Sequence, residues 1–320
     1  MDSHSTSVSS STGPEPVRTL ADIERMGLAK LSPGPRFYYS MGADEKQTLT
    51  ENVNAFKRLR LLPRLLRGVV NRSLETVLLE QHVSMPIGIA PTAFHKMAHP
   101  DGEAATAKAA EASRTVMIVS IVSTTSMEDV REAAPNAILW LQLCILRERA
   151  ITQRLVARAE RAGYSAIVYT ADIPVGGSNT ATFGNFLNDY SKELRCANFR
   201  EEDVANSGGR FVSTEIMNPE TTWADVAWLK SITKLPLVVK GILTVEAAIQ
   251  AVEHGASAII VSNHGGRQLD CVPATGEQGA FKVLEILRTE TDRAMALMGC
   301  RSVNELHPSM VVRRERLANL

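Results

Sequence analysis

The stretch that decides the fold is Ala258-Ile259-Ile260-Val261-Ser262-Asn263-His264-Gly265-Gly266-Arg267-Gln268. Its first four residues form a short apolar run, mostly β-branched, which reads as a buried strand. At the carboxyl end of that strand one turn collects a histidine, two glycines and an arginine. A histidine accepts a proton near neutral pH. An arginine three residues on can hold a carboxylate through a two-pronged charged contact. The glycines let the backbone turn tightly and let a ligand come close. The cluster predicts a site that removes a proton from a small anionic substrate.

Upstream, the same strand-then-helix rhythm recurs. From Pro86 onward apolar β-type runs alternate with amphipathic helical runs, the signature of a parallel α/β architecture. Strands are predicted at Ile87–Ala90, Val116–Ser120, Ile138–Leu143, Ala166–Thr170, Leu237–Lys240 and Ala258–Val261. Helices are predicted at Gly102–Ser113, Glu148–Ala162 and Trp223–Ile232. Another opens at Ser126, where Ser126-Met127-Glu128-Asp129 offers an oxygen acceptor followed by acids, as a helix start requires. Val245, Ala248, Ile249 and Val252 space out one apolar helix face. Thr19–Ala29 and Pro35–Met41 read as short helices before the main domain. A long irregular stretch from Pro174 to Glu220, rich in Gly, Asn and Ser, predicts a functional lid.

After Asp270 the rhythm fails: Cys271–Gly279 reads as loop, followed by a helix over Ala280–Met298 and a basic tail. About six strand–helix starts and a closing helix predict a TIM-type β/α barrel that stops short of eight units. An open doubly wound sheet is the alternative, but no G-x-G-x-x-G follows the first strand, which argues against a dinucleotide fold.

The 320 residues are 44% hydrophobic and 22% charged with zero formal net charge. That balance gives no electrostatic ground for binding nucleic acid or an acidic membrane surface. No apolar run approaches the roughly 18 residues of a membrane span. Cys144, Cys196, Cys271 and Cys300 lack C-x-x-C spacing and read as scattered reduced thiols. His95 and His99 lie four apart, without an acidic ligand at zinc spacing, so no metal site is expected. Residues 1–18 are rich in Ser and Thr and read as a disordered tail, not a secretory signal. The tripeptide Ala318-Asn319-Leu320 is similar to the small-basic-leucine peroxisomal address, with Asn in the basic place.

Four segments carry a family resemblance: Pro86-Ile87-Gly88-Ile89-Ala90-Pro91-Thr92-Ala93, Lys96-Met97-Ala98-His99-Pro100-Asp101-Gly102-Glu103, Val239-Lys240-Gly241, and Ser262 to Gln268. Together they resemble the FMN-dependent 2-hydroxy-acid oxidase and dehydrogenase family, the glycolate oxidase relatives. The resemblance implies FMN at the carboxyl mouth of a barrel spanning residues 19–320. It implies flavin contacts from Pro91, Thr92 and Ala93, and from Ser120, Gln142, Thr170 and Ser262. Lys240 is implied beside the flavin N1–O2 edge, where a positive charge stabilises the reduced ring. His264 is implied as the catalytic base, with Arg267 and Tyr38 as substrate-binding residues. The implied reaction takes an (S)-2-hydroxy acid such as glycolate to its 2-oxo acid, with oxygen reduced to hydrogen peroxide. A homo-oligomer is implied if the barrel forms.

The chain also departs from the family pattern. Cys144 stands where the family carries a substrate tyrosine. Asn179 occupies the position nearest an expected second substrate arginine. After Thr275 the chain passes directly to Gly276, where the family continues with barrel strands seven and eight and a phosphate-binding segment. Roughly 50 residues, about two of eight units, are missing by that comparison. Loss of two arginine contacts there predicts FMN affinity lower by on the order of 10²–10⁴. A second reading is therefore an impaired family member that associates with full-length subunits.

Overall fold

A computed structural model of the chain describes residues 17–176, 195–204, 216–273 and 281–313. Its centre is a five-stranded parallel sheet of β4 (Val116–Ser120), β5 (Ile138–Leu143), β6 (Ala166–Thr170), β7 (Leu237–Ile242) and β8 (Ala258–Val261), hydrogen-bonded in that order. Three short strands precede it, β1 (Leu59–Leu61), β2 (Thr76–Leu78) and β3 (Gln81–Val83), and β9 (Val311–Arg313) follows. The helices are α1 (Leu20–Lys30), α2 (Pro33–Ser40), α3 (Gln47–Asn54), α4 (Gly102–Ala112), α5 (Met127–Ala133), α6 (Arg149–Arg161), α7 (Glu201–Val204), α8 (Trp223–Ser231), α9 (Val245–Glu253) and α10 (Phe281–Met298).

The strand sequences read as apolar runs because both faces are covered. Residues of β4, β5, β6 and β7 are almost all buried. Successive side chains point to opposite faces. Met117, Val119, Leu139, Leu141, Ile167, Leu237 and Val239 pack under α4, α5, α6, α8 and α9. Val116, Ile118, Trp140, Ala166, Val168 and Val238 fill the other face. Two residues further along those same rows stand Ser120, Gln142, Thr170 and Lys240, all buried. Register places Ser120 beside Gln142 and Thr170 beside Lys240. The interior of this incomplete α/β barrel is therefore apolar below and polar at its carboxyl mouth, where barrels carry their sites.

The predicted first strand shrinks to a single parallel bridge, Ile89 to Met117. Ile89 N–H donates to Val116 O at 2.8 Å and Ile118 N–H to Ile89 O at 2.9 Å. The following Pro91 has no N–H to continue a ladder. Beside this bridge α10 closes the structure. Met295, Met298, Cys300 and Met310 pack with Leu74 and Met85 against Ile87 and Ile89. Arg72 holds Asp292 through two contacts of 3.1 and 2.7 Å.

Two other expectations change, and several lie outside the described residues. The irregular stretch from Pro174 to Glu220 contains α7 and a bridge between Leu146 and Met217. Asn179, the 275–276 junction and the C-terminal tripeptide lie outside the described residues, as does nearly all of the tail over 1–18. On α9 the side packed on the core is Ala247, Ala248 and Ala251. Val245, Ile249 and Val252, expected to face inward with Ala248, are exposed.

Candidate active site

His264 opens the turn that follows β8. Its backbone is left-handed, with φ 59°, and Gly265 and Gly266 follow at φ 66° and 68°. The Ser262 hydroxyl accepts the His264 N–H at 3.0 Å. Asn263 Oδ1 accepts the Gly266 N–H at 3.1 Å. Gly266 has no room for a side chain: a Cβ there would stand 2.6 Å from the Leu49 backbone nitrogen. The turn is thus moulded against α3. Asp270 accepts the Gln47 and Thr48 N–H groups at 3.0 and 2.6 Å, satisfying donors that a helix start leaves open. Those bonds, Thr48's first, hold the Asp270 pKa down to about 2. The Asn52 and Asn263 side-chain amides bond each other in both directions, at 3.2 and 2.7 Å.

The His264 ring meets a carboxylate that motif reading passed over. Nδ1 lies 2.8 Å from Asp172 Oδ1. An ionised carboxylate only accepts, so Nδ1 carries the proton and Nε2 is left as the acceptor. Asp172 sits just past β6, two residues after Thr170. An acid at the carboxyl end of a barrel strand is the signal that could have found it. Close packing seats it: Gly241 adopts φ +106°, and a Cβ there would lie 2.7–2.9 Å from Asp172 atoms. Lys240 Nζ approaches Asp172 Oδ2 at 3.8 Å. Burial depresses the His264 pKa below its ordinary value. The Asp172 hydrogen bond works against that, while the charges of Lys240 and Arg267 reinforce it. The imidazole is neutral at neutral pH, as a base must be.

Arg267 Nη1 donates to Tyr38 O at 2.8 Å and Met41 O at 3.4 Å. Its guanidinium lies 4.8 Å from the Tyr38 ring centroid, a cation–π contact. Burial raises the Tyr38 phenol pKa against the opposing pull of Arg267. The neighbouring Tyr39 hydroxyl is committed instead to Phe94 O at 3.1 Å. On the other flank Gln142 Nε2 donates to Thr170 Oγ1 at 3.0 Å and lies 3.8 Å from Cys144 Sγ. Burial and the Asp172 charge, opposed by Lys240, push the Cys144 thiol up to about 12. It therefore stays a neutral thiol.

The structure thus gathers His264, Arg267, Tyr38, Lys240, Gln142, Thr170, Ser120 and Ser262 around one mouth. Pro91, Thr92 and Ala93 are half-buried beyond the Ile89 bridge. The Thr92 hydroxyl donates to Ala90 O at 3.5 Å, and the Thr92 backbone bonds His95. The next turn is held by Glu103, a second carboxylate missed in the sequence. It accepts from His95 N–H at 3.0 Å, Thr124 N–H at 2.9 Å and the Thr125 hydroxyl at 2.8 Å. Burial alone would raise its pKa, but His95 and the bonds from Thr124 outweigh it and hold the carboxyl below the usual value. His95 Nδ1 pairs with Thr106 Oγ1 at 3.0 Å. Among the described residues no group of three His, Cys, Asp or Glu side chains is placed to hold a metal.

The mouth leaves a polar atom open. Asp172 Oδ2 is buried without a hydrogen-bond partner. The buried Lys240 ammonium stands beyond hydrogen-bond distance from that carboxylate. A buried polar atom left open in this way calls for a bound partner. Lys240, Thr170, Gln142 and Ser120 offer donors and acceptors along one line, as the heterocyclic edge of a flavin requires.

An apolar barrel interior capped by a polar row, with a paired histidine and carboxylate at the rim, defines a β/α-barrel enzyme. The family model for FMN-dependent dehydrogenase matches residues 29–275 and 274–313, and the chain belongs to that family. Glycolate oxidase of Spinacia oleracea is 38% identical over 356 aligned positions, covering 92% of this chain and 95% of the relative. A peroxisomal (S)-2-hydroxyacid oxidase of Arabidopsis thaliana is 37% identical, covering 85% and 91%. The solved structure of (S)-mandelate dehydrogenase, a monotopic membrane protein, shares the fold with TM-score 0.83 at 24% identity, over 94% of this chain and all of the other. The chain is an FMN-dependent oxidoreductase of the hydroxy-acid oxidase group.

Proposed function

We propose that the chain oxidises a small (S)-2-hydroxy acid, glycolate among its candidates, to the 2-oxo acid, with oxygen as final acceptor and hydrogen peroxide as product. The observation that carries this reading is the His264–Asp172 contact at 2.8 Å, with Arg267 three residues along the same turn. FMN, when bound, supplies the two-electron acceptor that no side chain provides. Lys240, Ser120, Gln142, Thr170 and Ser262 would hold its ring, with Pro91, Thr92 and Ala93 alongside. Arg267 and Tyr38 would anchor the substrate carboxylate. His264 Nε2 would take the substrate proton, and Asp172 would keep the ring oriented and stabilise the imidazolium that forms.

Cys144 gives a neutral thiol where a phenol would hydrogen-bond the substrate, so binding relies more heavily on Arg267. The matching family segments meet at residues 274–275. The alignment with the spinach enzyme, 356 positions, is longer than this 320-residue chain. Both support an internal gap where the flavin phosphate would be held, and hence weak retention of FMN. A peroxisomal home rests on the C-terminal tripeptide and the Arabidopsis relative's name.

The test is to purify the chain, add FMN in excess, and record the flavin spectrum with peroxide release from glycolate and from longer 2-hydroxy acids. Flavin-dependent peroxide that vanishes in His264→Gln supports the reading. A saturated flavin spectrum without turnover on any 2-hydroxy acid overturns it. A fluorescent fusion with the C-terminus left free tests the location.

A further inference from the structure

Among the described residues, two surfaces at one side of the sheet have no partner. Among the described residues β8 pairs only with β7, so its outer edge is open. Its residues are correspondingly less covered than those of the inner strands, and Val261 is 60% exposed. Beside it, α9 buries its small residues on the sheet and turns its larger ones outward. Val245, Ile249 and Val252 are 71%, 52% and 64% exposed. Their spacing makes one stripe along the helix. An open strand edge is a template for another strand. A right-handed crossover places the following helix next to the preceding one, against this stripe.

We propose that the β8 edge and the α9 stripe together form a docking site for a strand–helix segment supplied by another chain of the FMN-dependent dehydrogenase family. The occupant is chosen by where the gap falls. The two matching family segments abut at 274–275, shortly after β8. The aligned spinach relative carries residues that have no counterpart here. The residues this chain lacks therefore belong directly beyond the edge that stands open. The incoming strand runs parallel to β8 and is apolar on both faces. The incoming helix places apolar residues on Val245, Ile249 and Val252. A second copy of this chain has the same gap and supplies no such unit. The inference does not depend on turnover, and its test uses none.

The probe is a fluorescently labelled peptide carrying the spinach glycolate oxidase residues that have no counterpart in this chain, titrated into the intact chain. The expected result is saturable one-to-one binding, with slowed amide exchange at Ala258–Val261. Ile249→Glu combined with Val252→Glu should weaken it at least about tenfold, the scale of one lost apolar contact. Val77→Glu, an equally exposed apolar position on β2, should leave it unchanged. Circular dichroism confirms that each variant is folded. Absence of binding, or binding indifferent to the α9 pair, overturns the proposal. So does a dimer of this chain that is broken by the α9 pair and excludes the peptide.

Discussion

His264 Nδ1 and Asp172 Oδ1 stand 2.8 Å apart across 92 positions of sequence, joining the turn after β8 to the end of β6. The contact fixes which ring nitrogen can accept a proton. Asp172→Asn keeps the shape but lets the ring adopt the other tautomer. We expect turnover of the FMN-loaded protein to fall by about 10²- to 10⁴-fold. Steady-state peroxide release measures it, and a loss below tenfold removes Asp172 from the mechanism.

The depressed His264 pKa sets the direction of pH dependence. The folded group sheds its proton below the ordinary value of 6.5. Activity should therefore hold through pH 6.5 and decline only at lower pH. Stability follows the same sign. Above 6.5 neither state binds the proton. Below it the unfolded chain takes the proton first, so stability falls with pH until the folded pKa is passed. Denaturant titrations between pH 5 and 8 on wild type and His264→Gln separate this contribution from that of the carboxylates.

Gly241→Ala puts a methyl against Asp172 at a backbone angle that favours glycine. We expect a cost of about 1–3 kcal/mol, together with a shift in the His264 titration. Chemical denaturation reads the first and histidine NMR the second. A destabilised variant with an unchanged His264 titration would separate Gly241 from the site.

Glu103→Gln keeps the volume but replaces a carboxylate that gathers backbone and hydroxyl donors. At least one buried donor is left open, at about 1–3 kcal/mol. The denaturation midpoint should fall accordingly, with no change in the slope.

The four thiols should react unequally. Cys271 is exposed, while Cys144, Cys196 and Cys300 are buried. Cys144 is further protected because its pKa is raised to about 12. An aromatic disulfide reagent at pH 8 should modify Cys271 at once and the rest only on unfolding. Rapid loss of a second thiol would place one of the three buried cysteines in contact with solvent.

Much of the sheet was legible in the chain. Val116–Ser120, Ile138–Leu143, Ala166–Thr170 and Ala258–Val261 form strands where their apolar runs predict them. The β2–β3 hairpin was not, because Leu79 and Glu80 turn it at φ 46° and 65°, angles usually signalled by Asn or Gly. The β1–β9 pair joins Leu59–Leu61 to the distant Val311–Arg313, and no local pattern marks it. In the site, His264 and Arg267 stood out in one turn at a strand end, and Lys240 entered through the family resemblance. Asp172 did not, because a single acid after a strand reads as an ordinary loop residue until a histidine is found beside it. The α9 stripe was legible as apolar, but its outward direction depends on what the next unit leaves uncovered.

The bonds between Asp270 and the start of α3 span 223 and 222 positions, and the paired amides of Asn52 and Asn263 span 211. Contacts so distant along the chain form slowly. The parallel sheet pairs neighbouring units, whereas the turn that carries His264 is braced by an N-terminal helix from across the molecule. A substitution in α3 can therefore disturb that turn without touching His264, Asp172 or Arg267.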